Sequence, residues 1–78
     1  MTMEQMRAAF QARPFRAFNL HLADGDVLPV PHPDFIAIGP GGRTVVVFGK
    51  GDEMSIVDLV LVTRIEMKKV RANGRKSK

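Results

Sequence analysis

The chain has 78 residues, enough for one small domain. It contains no cysteine, which excludes disulfide bonds, thiolate metal sites and thiol nucleophiles. Its apolar runs fall far short of the roughly 20 residues that a membrane-spanning helix needs, and residues 1–10 do not have the pattern of a signal peptide. We therefore expect a cytoplasmic protein with no membrane partner.

The net charge of +4 is concentrated at one end of the chain. Residues 1–66 contain six basic and all eight acidic residues, a net charge of −2. Residues 67–78 contain six basic residues and no acidic one, a net charge of +6. Because polar, strongly charged segments rarely fold, we predict one folded domain over residues 1–67 and a disordered basic tail over residues 68–78.

A short helix is the first predicted element. Thr2 and Gln5 have the spacing of a capping box, in which each side chain accepts a bond from the other residue's backbone N–H. The residues that follow place apolar side chains at helical spacing, namely Met3, Met6, Ala9 and Phe10. Pro14 disfavours helical geometry at the residue before it, so the helix should end near Ala12. So short a helix must pack on a sheet or on a partner to be stable.

Residues 18–30 predict a β-hairpin, because apolar and polar residues alternate on both sides of Asp24 and Gly25. A two-residue turn would divide the large apolar side chains between the two faces. A three-residue loop over residues 23–25 instead places them on one face, pairing Leu20 with Leu28 and Phe18 with Val30. We therefore predict a type I turn followed by a bulge, with Gly25 in the left-handed conformation.

Four further strands are predicted, at residues 35–38, 44–48, 54–57 and 64–67. In the last of them, Ile65 should face inward and Arg64 and Glu66 outward. The second hairpin strand should lie at an edge, because prolines at alternate positions remove backbone donors there. The β-branched run from Thr44 to Phe48 favours a central strand buried on both faces. Residues 58–62 are ambiguous by periodicity, and Asp58 there fits the cap of a single helical turn anchored by Leu59 and Val62.

A short helix followed by about five short antiparallel strands with tight turns is the outline of a mainly β, α+β domain. We predict a small barrel or a rolled sheet of the SH3-like or Sm-like kind. The pattern leaves the choice between a closed barrel and an open sheet undecided.

Two segments resemble Sm-like proteins. Residues 20–25, LHLADG, are similar to the first Sm-like hairpin, and residues 61–66, LVTRIE, are similar to the final strand. Where Sm-like proteins carry an Arg-Gly or Lys-His type signature before that strand, this chain has Leu59 and Val60. The wider pattern over residues 3–67, RPF…F…L…DG…HPDF…TVVV…VTRIE, more closely resembles a group of short uncharacterised bacterial proteins. The resemblance implies a fold and no particular activity.

Few residues indicate catalysis or metal binding. The carboxylates nearest in sequence to the two histidines, His21 and His32, are Asp24, Asp26 and Asp34. A metal site needs three or four convergent ligands, so we expect an outward strand histidine and a turn histidine bonded to backbone. No hydroxyl residue adjoins a histidine base in the sequence, and no P-loop or GxGxxG motif is present. We therefore predict a non-catalytic binding module with no cofactor and no metal.

The basic tail is either a solubilising terminus or an arm that neutralises nucleic-acid phosphates without sequence preference. The chain has no Tyr or Trp on which bases could stack. Arg13 and Arg16 flank Pro14 and Phe15, where anchoring of helix-end carbonyls is an alternative role. The candidate nucleic-acid-binding residues are Arg13, Arg16, Arg43, Lys68, Lys69, Arg71, Arg75 and Lys76.

Protein association is the alternative function. A small open sheet leaves strand edges that must be covered or paired. The methionines of the predicted helix form an adaptable apolar face, although packing in the core explains them equally well. We expect a homo-oligomer, or binding to another protein through a sheet edge or the helix face.

Overall fold

The structure is a computed structural model that describes residues 1–68. The remaining predicted tail positions, including Lys69, Arg71, Arg75 and Lys76, lie outside the described residues. The elements in chain order are a helix, α1 (Met3–Phe10), and six strands, β1 (Phe18–Leu22), β2 (Val27–Val30), β3 (Ile36–Ile38), β4 (Thr44–Phe48), β5 (Met54–Asp58) and β6 (Val62–Met67). This confirms the predicted mainly β, α+β class.

The strands form two antiparallel sheets with the orders β2-β1-β6 and β3-β4-β5. Within residues 1–68 no strand pairing joins the two sheets, so the strands do not close into a barrel. The sheets approach each other where β2 packs beside β4. The open alternative is therefore the observed one, with six strands in two sheets. No helix among the described residues is long and apolar enough to span a membrane.

The capping box of α1 is confirmed. The Gln5 N–H lies 3.1 Å from Thr2 Oγ1, and the Thr2 N–H lies 3.0 Å from Gln5 Oε1. The helix ends at Phe10, two residues before the predicted end, and the N–H of Gln11 donates to the carbonyl of Arg7. Met6 and Ala9 of its apolar stripe are buried in the core, and Met3 and Phe10 are half-buried against it. Tertiary packing thus stabilises a helix that is too short to persist alone.

The predicted hairpin register is confirmed, with Leu20 opposite Leu28 and Phe18 opposite Val30. Two backbone hydrogen bonds of Leu22 close the loop. Its N–H donates to the Asp26 carbonyl, and its carbonyl accepts from the Gly25 N–H, both at 2.9 Å. Gly25 has a φ of 95°. A three-residue loop with a left-handed glycine therefore aligns the apolar side chains on one face.

Both predictions about strand position are confirmed, since β2 is an edge strand and β4 is central. The prediction that β4 is buried on both faces is wrong. Val45 and Val47 are buried, whereas Phe48 retains 39% of its exposure and Val46 is half-buried. The reason is that no element among residues 1–68 covers the outer face of this sheet.

The predicted helical turn after β5 is also confirmed. It is a single 3₁₀ turn over Leu59–Leu61, and Asp58 Oδ1 accepts the Val60 N–H at 3.0 Å. Leu59, the first residue of the turn, and Val62, the residue after it, are buried. The core joins these residues to the helix and both sheets, and its buried members are Met6, Ala9, Phe18, Leu20, Val30, Ile36, Val45, Val47, Val57, Leu59 and Val62.

We predict that Gly25→Ala lowers the free energy of unfolding by about 1–2 kcal/mol, because an L-residue is strained at positive φ. A Cβ at this position meets nothing within 4 Å, so backbone strain alone accounts for the loss. Chemical denaturation of the full chain measures it.

The matched control is Gly41→Ala, where an added Cβ also meets nothing within 4 Å and φ is not positive. This substitution should change stability by less than about 0.5 kcal/mol. Equal losses at the two positions would contradict the assigned turn.

Candidate association site at the sheet edge

Strand β6 lies at the end of its sheet and pairs only with β1 in the part of the chain that the structure describes. The Lys68 N–H donates to the Ala17 carbonyl at 3.0 Å, so the backbone groups of Lys68 are directed toward the side of β1. Successive residues of an antiparallel strand point their backbone groups alternately to either side. Glu66 therefore also faces β1, whereas Ile65 and Met67 direct their N–H and C=O groups away from the sheet.

An apolar groove lies beside this free edge, between α1 and β6. Its volume is about 440 Å³, and its lining residues are Met1, Gln5, Ala8, Ala9, Ile65 and Met67. Ile65 and Met67 are half-buried and point toward the core side of the sheet. The edge thus combines unpaired backbone groups with an accessible apolar wall.

A polar cluster occupies the opposite, outward face of β1 and β6. His21 Nε2 lies 2.8 Å from Glu66 Oε1, which assigns the ring proton to Nε2, and Asn19 Nδ2 lies 3.5 Å from the same oxygen. Arg64 Nη2 lies 3.1 Å from Nε2 and 3.4 Å from Nδ1 of His21. If Nη2 lay in the plane of the imidazole ring at these distances, it would collide with Cε1, the carbon between the two nitrogens. The Arg64 guanidinium therefore lies over the face of the His21 ring.

The hydrogen bond from His21, followed by that from Asn19, lowers the pKa of Glu66 below its ordinary value of 4.5. Since the pKa of Glu66 is lower in the folded state than in the unfolded state, ionised Glu66 stabilises the fold fully at pH values above the unfolded pKa. The contribution is lost as pH falls through the lowered pKa. Glu66 is therefore a carboxylate held in its charged form at the sheet edge.

The cluster lacks the contacts of a nucleophilic site. The hydroxyl of Thr63 donates to the backbone carbonyl of His21 at 3.1 Å and not to its ring. His32 belongs to a separate turn, where its Nδ1 accepts the Asp34 N–H at 3.2 Å. Residues 1–68 contain no group of three or more His, Cys, Asp or Glu side chains placed to hold a metal ion. Both histidines have the structural positions that the sequence predicts.

The described candidate basic residues do not form one patch. Arg16 donates from Nη2 and Nε to the Lys68 carbonyl, at 2.7 and 3.3 Å, so its predicted alternative role at helix-end carbonyls is wrong. Arg13 donates to the carbonyl of Ala12, just beyond α1. The contact of Arg16 with Lys68 places two basic residues together at the end of β6, where the basic segment of the chain begins.

Arg43 lies at the other end of β6. Its carbonyl accepts the N–H of Leu59, in the turn before β6, and its Nη2 lies 3.0 Å from Asp58 Oδ2. The bond from the Val60 N–H, and then Arg43, lowers the pKa of Asp58. The first and last of the six residues of β6 are five steps of roughly 3.3 Å apart, which separates its ends by about 17 Å. Arg43 is therefore distant from Arg16 and partnered by an acid.

A second free edge belongs to β5. Its outward-directed backbone groups are those of Met54, Ile56 and Asp58, because the Glu53 carbonyl and the Leu59 N–H bond toward β4. Met54 and Ile56 retain 56% and 67% of their exposure. This edge is therefore the more apolar of the two on its outer face.

Sequence patterns did not identify the role of Asn19 and Glu66, since their contact joins strands far apart in the chain. The alternation in residues 64–67 did indicate that Arg64 and Glu66 face outward. No family model, curated protein or solved structure matches this chain. The geometry of the two edges is therefore the ground for assigning a function.

We predict that His21→Ala raises the pKa of Glu66 toward 4.5, because it removes the largest cause of the lowering. A ¹³C NMR titration of the Glu66 carboxyl group measures the change. His32→Ala is the control, since its ring contacts Asp34 and not Glu66. An unchanged Glu66 pKa in the His21 variant would contradict the assigned hydrogen bond.

Proposed function

We propose that this protein is a non-catalytic association module that binds a second copy of itself through a sheet edge. The observation that carries this proposal is the pair of edge strands, β5 and β6, each with one side unpaired within residues 1–68 and with backbone groups directed outward beside apolar side chains. Such edges add strands from other chains readily. The chain therefore has the features of a protein whose sheets are completed by association.

The size of the domain favours the same function. A chain of 78 residues buries a small core, and small domains without disulfides or metals commonly gain stability by oligomerising. The outer face of β4 and β5 also leaves Phe48, Met54 and Ile56 accessible to solvent. Association that covers such side chains stabilises the folded state by mass action.

The proposal includes a cytoplasmic location and the absence of catalysis. Small secreted domains usually depend on disulfides, and this chain has no cysteine. The hydroxyl of Thr63 donates to the backbone carbonyl of His21. Both observations support a binding role inside the cell.

We predict that the full chain has a mass above the 8.6 kDa of the monomer, and that this mass increases with concentration. Analytical ultracentrifugation measures it. The control is the double variant Ile56→Lys with Ile65→Lys, which places one charge at the β5 edge and one at the β6 edge and should remain monomeric, with circular dichroism to verify that it folds. A wild-type protein that is monomeric at every concentration would overturn the proposal.

Nucleic-acid binding through the basic tail is a second candidate. It is favoured by the position of Arg16, whose guanidinium binds the carbonyl of Lys68 where residues 67–78 begin to contribute their charge of +6. Arg16 and Lys68 thereby extend the basic segment onto the body. Phosphate neutralisation of this kind has no sequence preference.

We predict salt-sensitive binding of a fluorescent single-stranded RNA of mixed sequence, because neutralising six phosphates gives a slope of about −4 in log K against log salt concentration. Fluorescence anisotropy measures it. Replacing the six basic residues of positions 67–78 by Gln should abolish binding, whereas Arg43→Gln should not. Binding that survives the six-residue change would exclude the tail as the site.

A further inference from the structure

We infer that the second copy pairs with β6 in antiparallel orientation, with the twofold axis at Ile65, and that Arg64 of each copy pairs with Glu66 of the other. This deepens the proposed function and rests on it. The result is a continuous six-stranded sheet built from two copies of β2-β1-β6. Isologous pairing of this type closes on itself and stops at a dimer.

The backbone of β6 is directed correctly for this arrangement. Ile65 and Met67 point their N–H and C=O groups away from β1, as the Lys68 to Ala17 bond requires. With the axis at Ile65, the two Ile65 residues form a hydrogen-bonded pair. Met67 of one copy then lies opposite Thr63 of the other, where the pairing of β6 with β1 shifts register. The reciprocal backbone bonds are therefore assigned to the Ile65 pair, at the centre of the joined strands.

Charge selects this register over its neighbours. An axis at Arg64 would oppose the two Arg64 side chains, and an axis at Glu66 would oppose the two Glu66 side chains. Like charges directly opposite each other across a strand pair are unfavourable. Only the axis at Ile65 opposes Arg64 to Glu66, and twofold symmetry makes that ion pair twice.

The side chains concerned are accessible and correctly oriented. Arg64 and Glu66 are exposed on the outward face of β6. They would occupy non-hydrogen-bonded pairs, in which opposing Cα atoms approach to about 4.5 Å. Glu66 already accepts from His21, and a carboxylate has lone pairs for further donors. The intrachain cluster and the interchain pairs are therefore compatible.

The inward face of the same edge contributes apolar burial. Ile65 lines the groove between α1 and β6, so the two Ile65 side chains would meet where the two grooves adjoin. Each groove is walled by Ala8 and Ala9 of its own helix. Small side chains there leave room for the approaching copy. One face of the paired β6 strands is thus apolar and the other is charged.

The β5 edge lacks this complementarity. With an axis at Ile56, Met54 of one copy would oppose Asp58 of the other. Asp58 already pairs with Arg43 and caps the turn over Leu59–Leu61. The apolar edge of β5 therefore offers no matched charges to define a register.

Charge exchange between positions 64 and 66 tests the register. We expect Arg64→Glu and Glu66→Arg each to weaken the homodimer by about tenfold or more, since each opposes like charges at both symmetric contacts. Mixing the two single variants should restore a dimer, because every Glu then faces an Arg. The double variant Arg64→Glu with Glu66→Arg should likewise dimerise. Ultracentrifugation measures all four, and circular dichroism verifies folding.

Ile56→Lys at the other edge is the matched control and should leave the dimer intact. If Ile56→Lys abolishes association and the charge variants do not weaken it, the β6 register is wrong while the proposed self-association stands. If the single variants weaken association and their mixture does not restore it, the reciprocal pairing is wrong. A wild-type protein that never associates overturns both proposals.

Discussion

The antiparallel pairing of β1 with β6 is the contact on which the rest of this structure depends. It joins residues 18–22 to residues 62–67. All three strands of the second sheet, β3 to β5, lie between these two segments in the sequence. Phe18 and Leu20 of β1 supply fully buried side chains to the core that both sheets share. Because so long a loop must close before these contacts form, the apolar side chains must offset a substantial loss of chain entropy.

The same pairing creates the candidate site. By placing β6 beside β1, it aligns Asn19 and His21 with Glu66 and Arg64 on one face and exposes the other side of β6. Two three-stranded sheets have four edges. The proline-containing β2 is protected by its missing donor. Strands β3, β5 and β6 contain no proline, and β6 has a register shift at Thr63.

Local elements followed well from local patterns. The capping box, the hairpin register, the helical turn after Asp58 and the outward direction of Arg64 all depend on residues within a few positions of one another, where steric and hydrogen-bonding preferences act directly. The burial of β4 did not follow. A β-branched run favours a strand, but whether a second layer covers its outer face depends on elements elsewhere in the chain.

The candidate site shows the same division. From the sequence by itself came the mainly β, α+β class, the separate basic segment, the positions of the two histidines on a strand and in a turn, and the absence of a thiol. Only the tertiary structure decided that the sheets stay open, that Arg16 binds the Lys68 carbonyl, and that Glu66 meets His21. The physical reason is that the pattern of a strand specifies which face it buries, whereas its neighbour is selected by the packing of the whole chain.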